Sequence, residues 1–344
     1  MPASIKDVAA HAGVSVGTVS NVLNARAKVS VEIAARVDDA IRELGYVRND
    51  AARQLRAGRS SAIGLVILDV GNPFFADLAR GSEDEADRSG YSIILGNSDE
   101  RVEREAGYLD LFEQQRMRGV LISPIGDVTE RLGQLRDRGI PAVLVDRTTA
   151  DPSFSSVSVD DIAGGALAME HLVAAGRRRV AFVGGPMTIR QVTDRLEGAR
   201  RAAERHEGVT LEVIETEALT VFAGRDVGVG IVARDPADRP DAIFAANDLV
   251  AVGVLQALVI NGAAVRVPED VALIGYDDID FARATVVPLS SVRQPAALIG
   301  GTAVQILLEE ADDPDVAPRQ VVFQPELLVR ESTGGCLRPP RSRG

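Results

Sequence analysis

Apolar residues fall at Ile5, Val8, Ala9 and Ala12, the spacing that places one stripe along one face of a helix, with Ser4 and Asp7 set ahead of it as a capping pair. Gly13 breaks that helix. Ser15 is a good N-cap for a second one, in which Val19, Val22 and Leu23 face back toward the first. Val16, Gly17, Thr18, Ser20, Asn21 and Asn24 are left outward or at its exposed end. Two short helices meeting steeply need small residues at their seam, and Ala9, Gly13 and Val19 supply them. Alone, this pattern fits an ordinary helical hairpin as readily as a helix-turn-helix. From Val29 to Tyr46 the pattern predicts a third helix, capped by Ser30 and closed by Gly45, whose Ile33, Ala34, Val37, Ile41 and Leu44 complete a three-helix core. In the next stretch, NDAARQLRAGRS, Ala51, Ala52 and Leu55 form too small an apolar face to fold unaided. Its order is expected to depend on a partner, the alternative being a flexible linker.

From Ser61 onward the period changes. Apolar, β-branched runs at Ala62–Val70, Tyr91–Gly96, Gly119–Ile122, Ala142–Val145, Val180–Val183, Ala242–Ala245 and Val271–Ile274 predict strands. Helical patterns lie between them, among them Phe75–Arg88, Arg101–Arg116, Asp161–Ala175, Thr193–His206 and Leu249–Asn261. Continuous apolar strands alternating with helices imply parallel sheets covered on both faces, with ligands near the carboxyl ends of the strands. So long a stretch exceeds one comfortable core, which predicts two subdomains.

Charge divides the chain at the same place. Residues 1–60 carry nine Lys and Arg against six Asp and Glu, while the remainder carries 29 against 44. Both lysines, Lys6 and Lys28, lie in the first part. A polyanion is therefore expected to bind at the amino end and nowhere else. Cys336 is the only cysteine, and His11, His171 and His206 fall on separate helices, so no metal site, cofactor or cysteine nucleophile is indicated. The GGP at 184–186 lacks the Lys and Ser/Thr of a phosphate loop, and no motif fixes a catalytic pair of carboxylates. Without a signal peptide, a membrane-length apolar run or paired cysteines, the mature chain is expected in the cytoplasm, away from membranes.

DVAAHAGVSVGTVSNVLN, then GYVRNDAARQLRAGRS, then IGLVILDVGNPFF together resemble the lactose-repressor (LacI) family of bacterial transcription regulators, over about residues 4–333. The resemblance implies an all-α helix-turn-helix headpiece at 1–46, a hinge helix and linker at 47–60, and an α/β two-lobed core at 61–334 with parallel sheets. That core is of the type I periplasmic-binding-protein kind and is followed by a disordered tail, 335–344. Its lobes would comprise 61–160 with 294–323 and 161–291 with 325–334, joined by crossovers near Asp160, Ser291–Gln294 and Val322–Pro325. Carried over by position, Val16, Gly17 and Asn21 face bases, while Ser15, Thr18, Ser20 and Asn24 complete the DNA-binding set, the last three on phosphates. Asn21 has an amide for a base edge, Val16 offers only apolar contact and Gly17 no side chain, so no operator follows by analogy. Leu55 matches the hinge leucine that wedges between base pairs, with Arg53, Arg56 or Arg59 recovering the cost of unstacking through phosphates.

For the effector, Asn72, Phe74 and Phe75 follow the first strand, Asp146 and Arg147 the fourth, and Asp277 and Asp278 a later one. Read alone, charged residues at strand ends usually stay in solvent or cap helices, and Phe75 fits core packing. The resemblance assigns Asp146, Arg195, Asn247 and Asp277 to the effector site and adds Phe222 and Gln294 as neighbours. A planar donor fork, carboxylates and a phenylalanine face favour a sugar or related polyol. A nucleobase stays open, although Ile189 and Gln191 depart from the purine-repressor branch. The expected protein is an effector-switched repressor that binds palindromic double-stranded operator DNA as a homodimer. The competing reading is a cytoplasmic binding protein or enzyme of the same two-lobed architecture. The final ESTGGCLRPPRSRG has no leucine heptads that would build a tetramer.

Overall fold

The computed structural model describes residues 3–24, 26–46, 60–149, 151–260 and 265–334. The chain forms two compact units, Met1–Arg59 and Ser60–Gly344.

In the first unit, α1 (Ile5–His11) opens with a capping box: the Asp7 amide donates to Ser4 Oγ, and the Ser4 amide donates to Asp7 Oδ2 at 2.8 Å. Gly13, at φ +63°, makes the turn, and Ser15 Oγ accepts from the Thr18 amide at 3.0 Å to start α2 (Val16–Asn24). Ser30 caps α3 (Val31–Leu44), which ends on Gly45 at φ +59°. The core joining them is made of Val8, Ala9, Ala12, Val19, Val22, Ala34, Val37 and Ala40. Two details differ from the sequence reading. The third helix begins at Val31, which is 89% exposed, because the Ser30 cap leaves Val29 outside it. Ile33, Ile41 and Leu44 are half-buried, and Ala40 completes the seam, since helices this close leave room there only for small side chains.

The second unit begins with β1 (Ala62–Ile67), α4 (Pro73–Arg88), β2 (Ser92–Asn97), α5 (Val102–Gln114), β3 (Val120–Ile122), α6 (Thr129–Asp137), β4 (Ala142–Val145) and β5 (Ser155–Val159). It continues through α7 (Asp161–Ala174), β6 (Arg179–Val183), α8 (Arg190–Glu204), β7 (Thr210–Ile214), α9 (Val221–Val232) and β8 (Ala242–Ala245). Then follow α10 (Asp248–Ile260), β9 (Ala272–Asp277), α11 (Asp280–Ala284), β10 (Ser290–Arg293), α12 (Ala296–Asp312), β11 (Gln320–Phe323) and β12 (Glu326–Leu328). Two six-stranded sheets result, ordered β11-β5-β4-β3-β1-β2 and β12-β10-β9-β8-β6-β7. Every pairing is parallel except β10 with β12. The chain passes between the sheets after β5, after β10 and after β11.

β1 stops at Ile67, short of the sequence expectation, because Asp69–Gly71 turns the chain into α4, where Pro73 occupies the first helical turn. The apolar-run reading did not single out β5. Its SSVSV segment is wholly buried, between β4 and β11, with the Ser155 hydroxyl bonded to Glu310.

Helices on the sheets pack in pairs through glycine. On α4 and α12, a Cβ on Gly81 would lie 2.1 Å from Ala297 O, and one on Gly300 the same distance from Leu78 O. Gly165 and Gly198 do the same for α7 and α8, and Gly224 and Gly253 for α9 and α10.

Candidate functional site

On the first unit, α2 presents Ser15, Val16, Gly17 and Asn21 exposed, with Thr18 and Ser20 partly covered and Val16 at 42%. Ser15 and Thr18 share a hydroxyl pair at 2.9 Å, so their oxygens first serve the helix cap. The Asn24 side chain, and Arg53, Leu55, Arg56 and Arg59, lie outside the described residues.

In the second unit a cavity lies between the carboxyl ends of the two sheets. In the first sheet β1 lies between β2 and β3, the kind of strand-order reversal where open α/β sheets place ligands. Asn72 caps α4 by accepting from the Phe74 amide at 3.0 Å, which leaves its Nδ2 to donate across the cleft to Asp277 Oδ2 at 3.1 Å. Phe74 and Phe75 meet edge to face, 5.1 Å between centroids, and both line the cavity. Asp146 and Asp277 close β4 and β9 with left-handed backbones, φ +56° and +101°, which turns both carboxylates inward.

α8 contributes two residues, of which Gln191 crosses the cleft and Arg195 stays within its own lobe. Gln191 Nε2 donates to the Asp146 carbonyl at 2.7 Å and to its Oδ2 at 2.9 Å. Arg195 Nε donates to Asp161 Oδ1 and its Nη1 to Ala246 O, each at 2.8 Å, with Asp277 Oδ1 at 3.7 Å. Its guanidinium lies 3.8 Å from the Tyr276 ring centroid, a stacked cation. Gln294 Nε2 donates to Asp277 Oδ1 at 2.7 Å. Asn247 caps α10 through its Oδ1, which accepts from the Val250 amide, and donates Nδ2 to Leu219 O.

Burial pushes the carboxyl pKa of Asp146 well up, reinforced by the charge of Asp161. Asp161 and Asp277 are raised by burial too, with Arg195 pulling both down. For Arg195, burial opposes its charge, yet Asp161 and Asp277 outweigh it and hold the guanidinium protonated. Among the residues lining the cavity, three buried oxygens find no partner: Asp146 Oδ1, Gln191 Oε1 and Gln294 Oε1. All three are acceptors, so the site is built to receive donors.

The structure thus brings together Asn72, Phe74, Phe75, Asp146, Arg195, Asn247, Asp277 and Gln294. Phe75, expected in core packing when read alone, faces the cavity as well as the core. Arg147 is set aside. It lines adjoining hollows with Arg190 and donates Nη1 to Pro124 O at 3.2 Å. Phe222 needs correction: it is 74% exposed and away from the cavity, because Gly224 faces α10 and a residue two positions earlier points about 200° around the helix. Sequence reasoning left Asp69, Glu100 and Gln191 unassigned. The order β2-β1-β3 was the signal for Glu100, since the loop after β2 must then lie beside the one after β1.

Residues 4–49 match the bacterial regulatory proteins of the lacI family, and residues 169–333 match the periplasmic binding protein-like domain. The ribose operon repressor of Bacillus subtilis is 38% identical over 307 residues, covering 89% of this chain and 91% of its own. The lac repressor dimer bound to operator and the anti-inducer ONPF has a similar structure, with a TM-score of 0.82 at 27% identity, covering 97% of this chain and 99% of that one. A LacI family regulator from Enterococcus faecium with bound ribose gives a TM-score of 0.71 at 27% identity, over 79% of this chain and 98% of its own. Among the described residues, no helix is long and apolar enough to cross a membrane. With a relative 38% identical over 89% of the present sequence, this chain belongs to the lacI family of bacterial regulatory proteins, DNA-binding repressors under the control of a small-molecule effector.

Proposed function

We propose that the effector of this repressor is a sugar or related polyol of monosaccharide size, with ribose the first candidate, and that it binds in the cavity between the two sheets. The observation that carries this reading is the set of partnerless buried acceptors on Asp146, Gln191 and Gln294, which hydroxyl groups can satisfy at once. Phe74 and Phe75 supply an apolar wall for a ring face, and Asp277, Asn72 and Arg195 supply orienting groups. The ribose-bound relative and the ribose operon repressor support the same class.

On the DNA side, Val16, Gly17 and Asn21 are the residues we assign to base edges, with Ser15, Thr18, Ser20 and Asn24 nearer phosphates and Leu55, Arg53 and Arg56 in the operator centre. A half-site reader gains specificity as a two-fold dimer on a palindrome. Exposed apolar side chains for such an interface occur on both lobes, Val70 and Val102 on one, Phe222, Phe281 and Val286 on the other. Phe222 is thereby reassigned from the effector to the partner subunit. Effector and operator are linked by population shift: the sugar prefers one relative orientation of the lobes, and that orientation alters operator affinity. The protein acts in the cytoplasm by binding, without a catalytic residue.

The test is fluorescence anisotropy of the full chain on the DNA upstream of its own gene, across a salt series and with ribose, other pentoses, hexoses, polyols and purine bases. Salt-sensitive, sequence-selective binding that ribose or another sugar shifts is expected. A purine base shifting it while every sugar leaves it unchanged would overturn the sugar reading.

A further inference from the structure

Four carboxylates line the cavity, those of Asp69, Glu100, Asp146 and Asp277, against a single cation among the described residues, Arg195. That guanidinium is already committed to Asp161, Ala246 O and Asp277. Of the nearby cations, Arg190 pairs with Asp194 at 2.8 Å, and Arg147 lines the adjoining hollows and is absent from this cavity's lining. The amino ends of α4 and α10 point the positive ends of their dipoles at the cavity, but Asn72 and Asn247 cap them with their own side chains. Asp69 and Glu100 differ from Asp277, which Arg195 approaches to 3.7 Å. Neither has an ion pair among the described residues, whereas their neighbour Asp99 has Arg104 at 2.8 Å. Asp69 Oδ1 accepts only from the Gly71 amide, and Glu100 sits at φ +53° on the loop after β2. Burial raises the Glu100 carboxyl, and the charges of Asp69 and Asp99 raise it further.

An anionic ligand would bring its charge into this field with no free cation to meet it, whereas hydroxyl donors meet acceptors everywhere. Like charges brought together away from water are strongly disfavoured. We infer that the cavity takes its sugar in the unphosphorylated form, and that Asp69 and Glu100 act as a charge filter that rejects the phosphate ester of the same sugar. This rests on the sugar reading above. The partnerless buried oxygens of Asp146, Gln191 and Gln294 are the independent mark of a ligand site, and none of them is a donor that a phosphate could use.

The experiment is calorimetric titration of the full-length protein with D-ribose and D-ribose 5-phosphate, and with D-glucose and D-glucose 6-phosphate. The free sugar is expected to bind at least about a hundredfold more tightly than its ester, and Glu100→Gln to narrow that ratio about tenfold. Asp69 is half-exposed, so Asp69→Asn probes the same filter should Glu100→Gln fail to fold. An ester bound as tightly as its sugar overturns the filter while leaving the sugar reading intact. A ratio unmoved in the folded variants overturns it as well, because exclusion would then be steric. Binding of neither sugars nor esters overturns the sugar reading and the filter together.

Discussion

Asp146 is a carboxylate whose ionisation the fold opposes, through burial first and the charge of Asp161 second. A group whose pKa is raised by folding contributes stability that is fully present below its ordinary value and is lost as pH rises through the raised one. The effector-free core should therefore lose stability as pH rises from about 4 through that raised range. Asp146→Asn removes the term and keeps an acceptor for Gln191. Calorimetric melting without ligand should place the variant level with wild type at pH 5 and above it at pH 8, by about 2–4 °C for each kcal/mol relieved. The same variant should bind sugar more weakly, since a neutral amide is a poorer acceptor for hydroxyls. The strand-end aspartates were legible only through the family resemblance, since charged residues at strand ends, read alone, usually stay in solvent or cap helices. Gln191 was not, because nothing in PMTIRQVTDR says which way a helix-borne glutamine reaches until the start of α8 faces Asp146 across the cleft. Phe222, placed beside the effector by the resemblance alone, failed because only the docking of α9 decides which side it faces.

At the level of elements, caps carry much of the headpiece's definition. Ser4 with Asp7, Ser15, Ser30 and Gly45 were readable from residue type and spacing alone, and each takes that role. Ser15→Ala leaves the Thr18 amide without its cap and should cost about 1 kcal/mol, a large share for so small a core. It should appear as an earlier melting transition of the headpiece and weaker operator binding, with sugar affinity unchanged. Helix-borne glycines were not legible, since in a sequence they read as weak points. Gly198 shows what they are for: a Cβ there would meet Ile162 O at 2.0 Å, backbone against side chain, with nothing flexible to yield. Gly198→Ala should destabilise the core by about 1–3 kcal/mol in urea unfolding, although alanine is the better helix former. β5 was illegible for a related reason: serine reads as a polar surface residue, and only the fold shows Ser155 buried against Glu310, and Ser156 and Ser158 buried beside it.

Across the whole molecule, the division between a basic amino end and an acidic remainder survives as two separate units, and the two-lobed core follows from the strand–helix alternation. The pairing of carboxylates and amides across the cleft does not follow, since it joins residues up to 205 positions apart. Those cross-lobe bonds carry a kinetic consequence. Asn72 to Asp277 and Gln191 to Asp146 tie the lobes together through oxygens of the same carboxylates that line the effector cavity. Sugar cannot dock until they part, so entry waits on a spontaneous opening rather than on collision. In stopped-flow fluorescence the observed association rate should level off as sugar concentration rises, at a ceiling set by the protein alone and lifted in Gln191→Ala. A rate that climbs linearly through the millimolar range would mean the empty cleft stands open in solution.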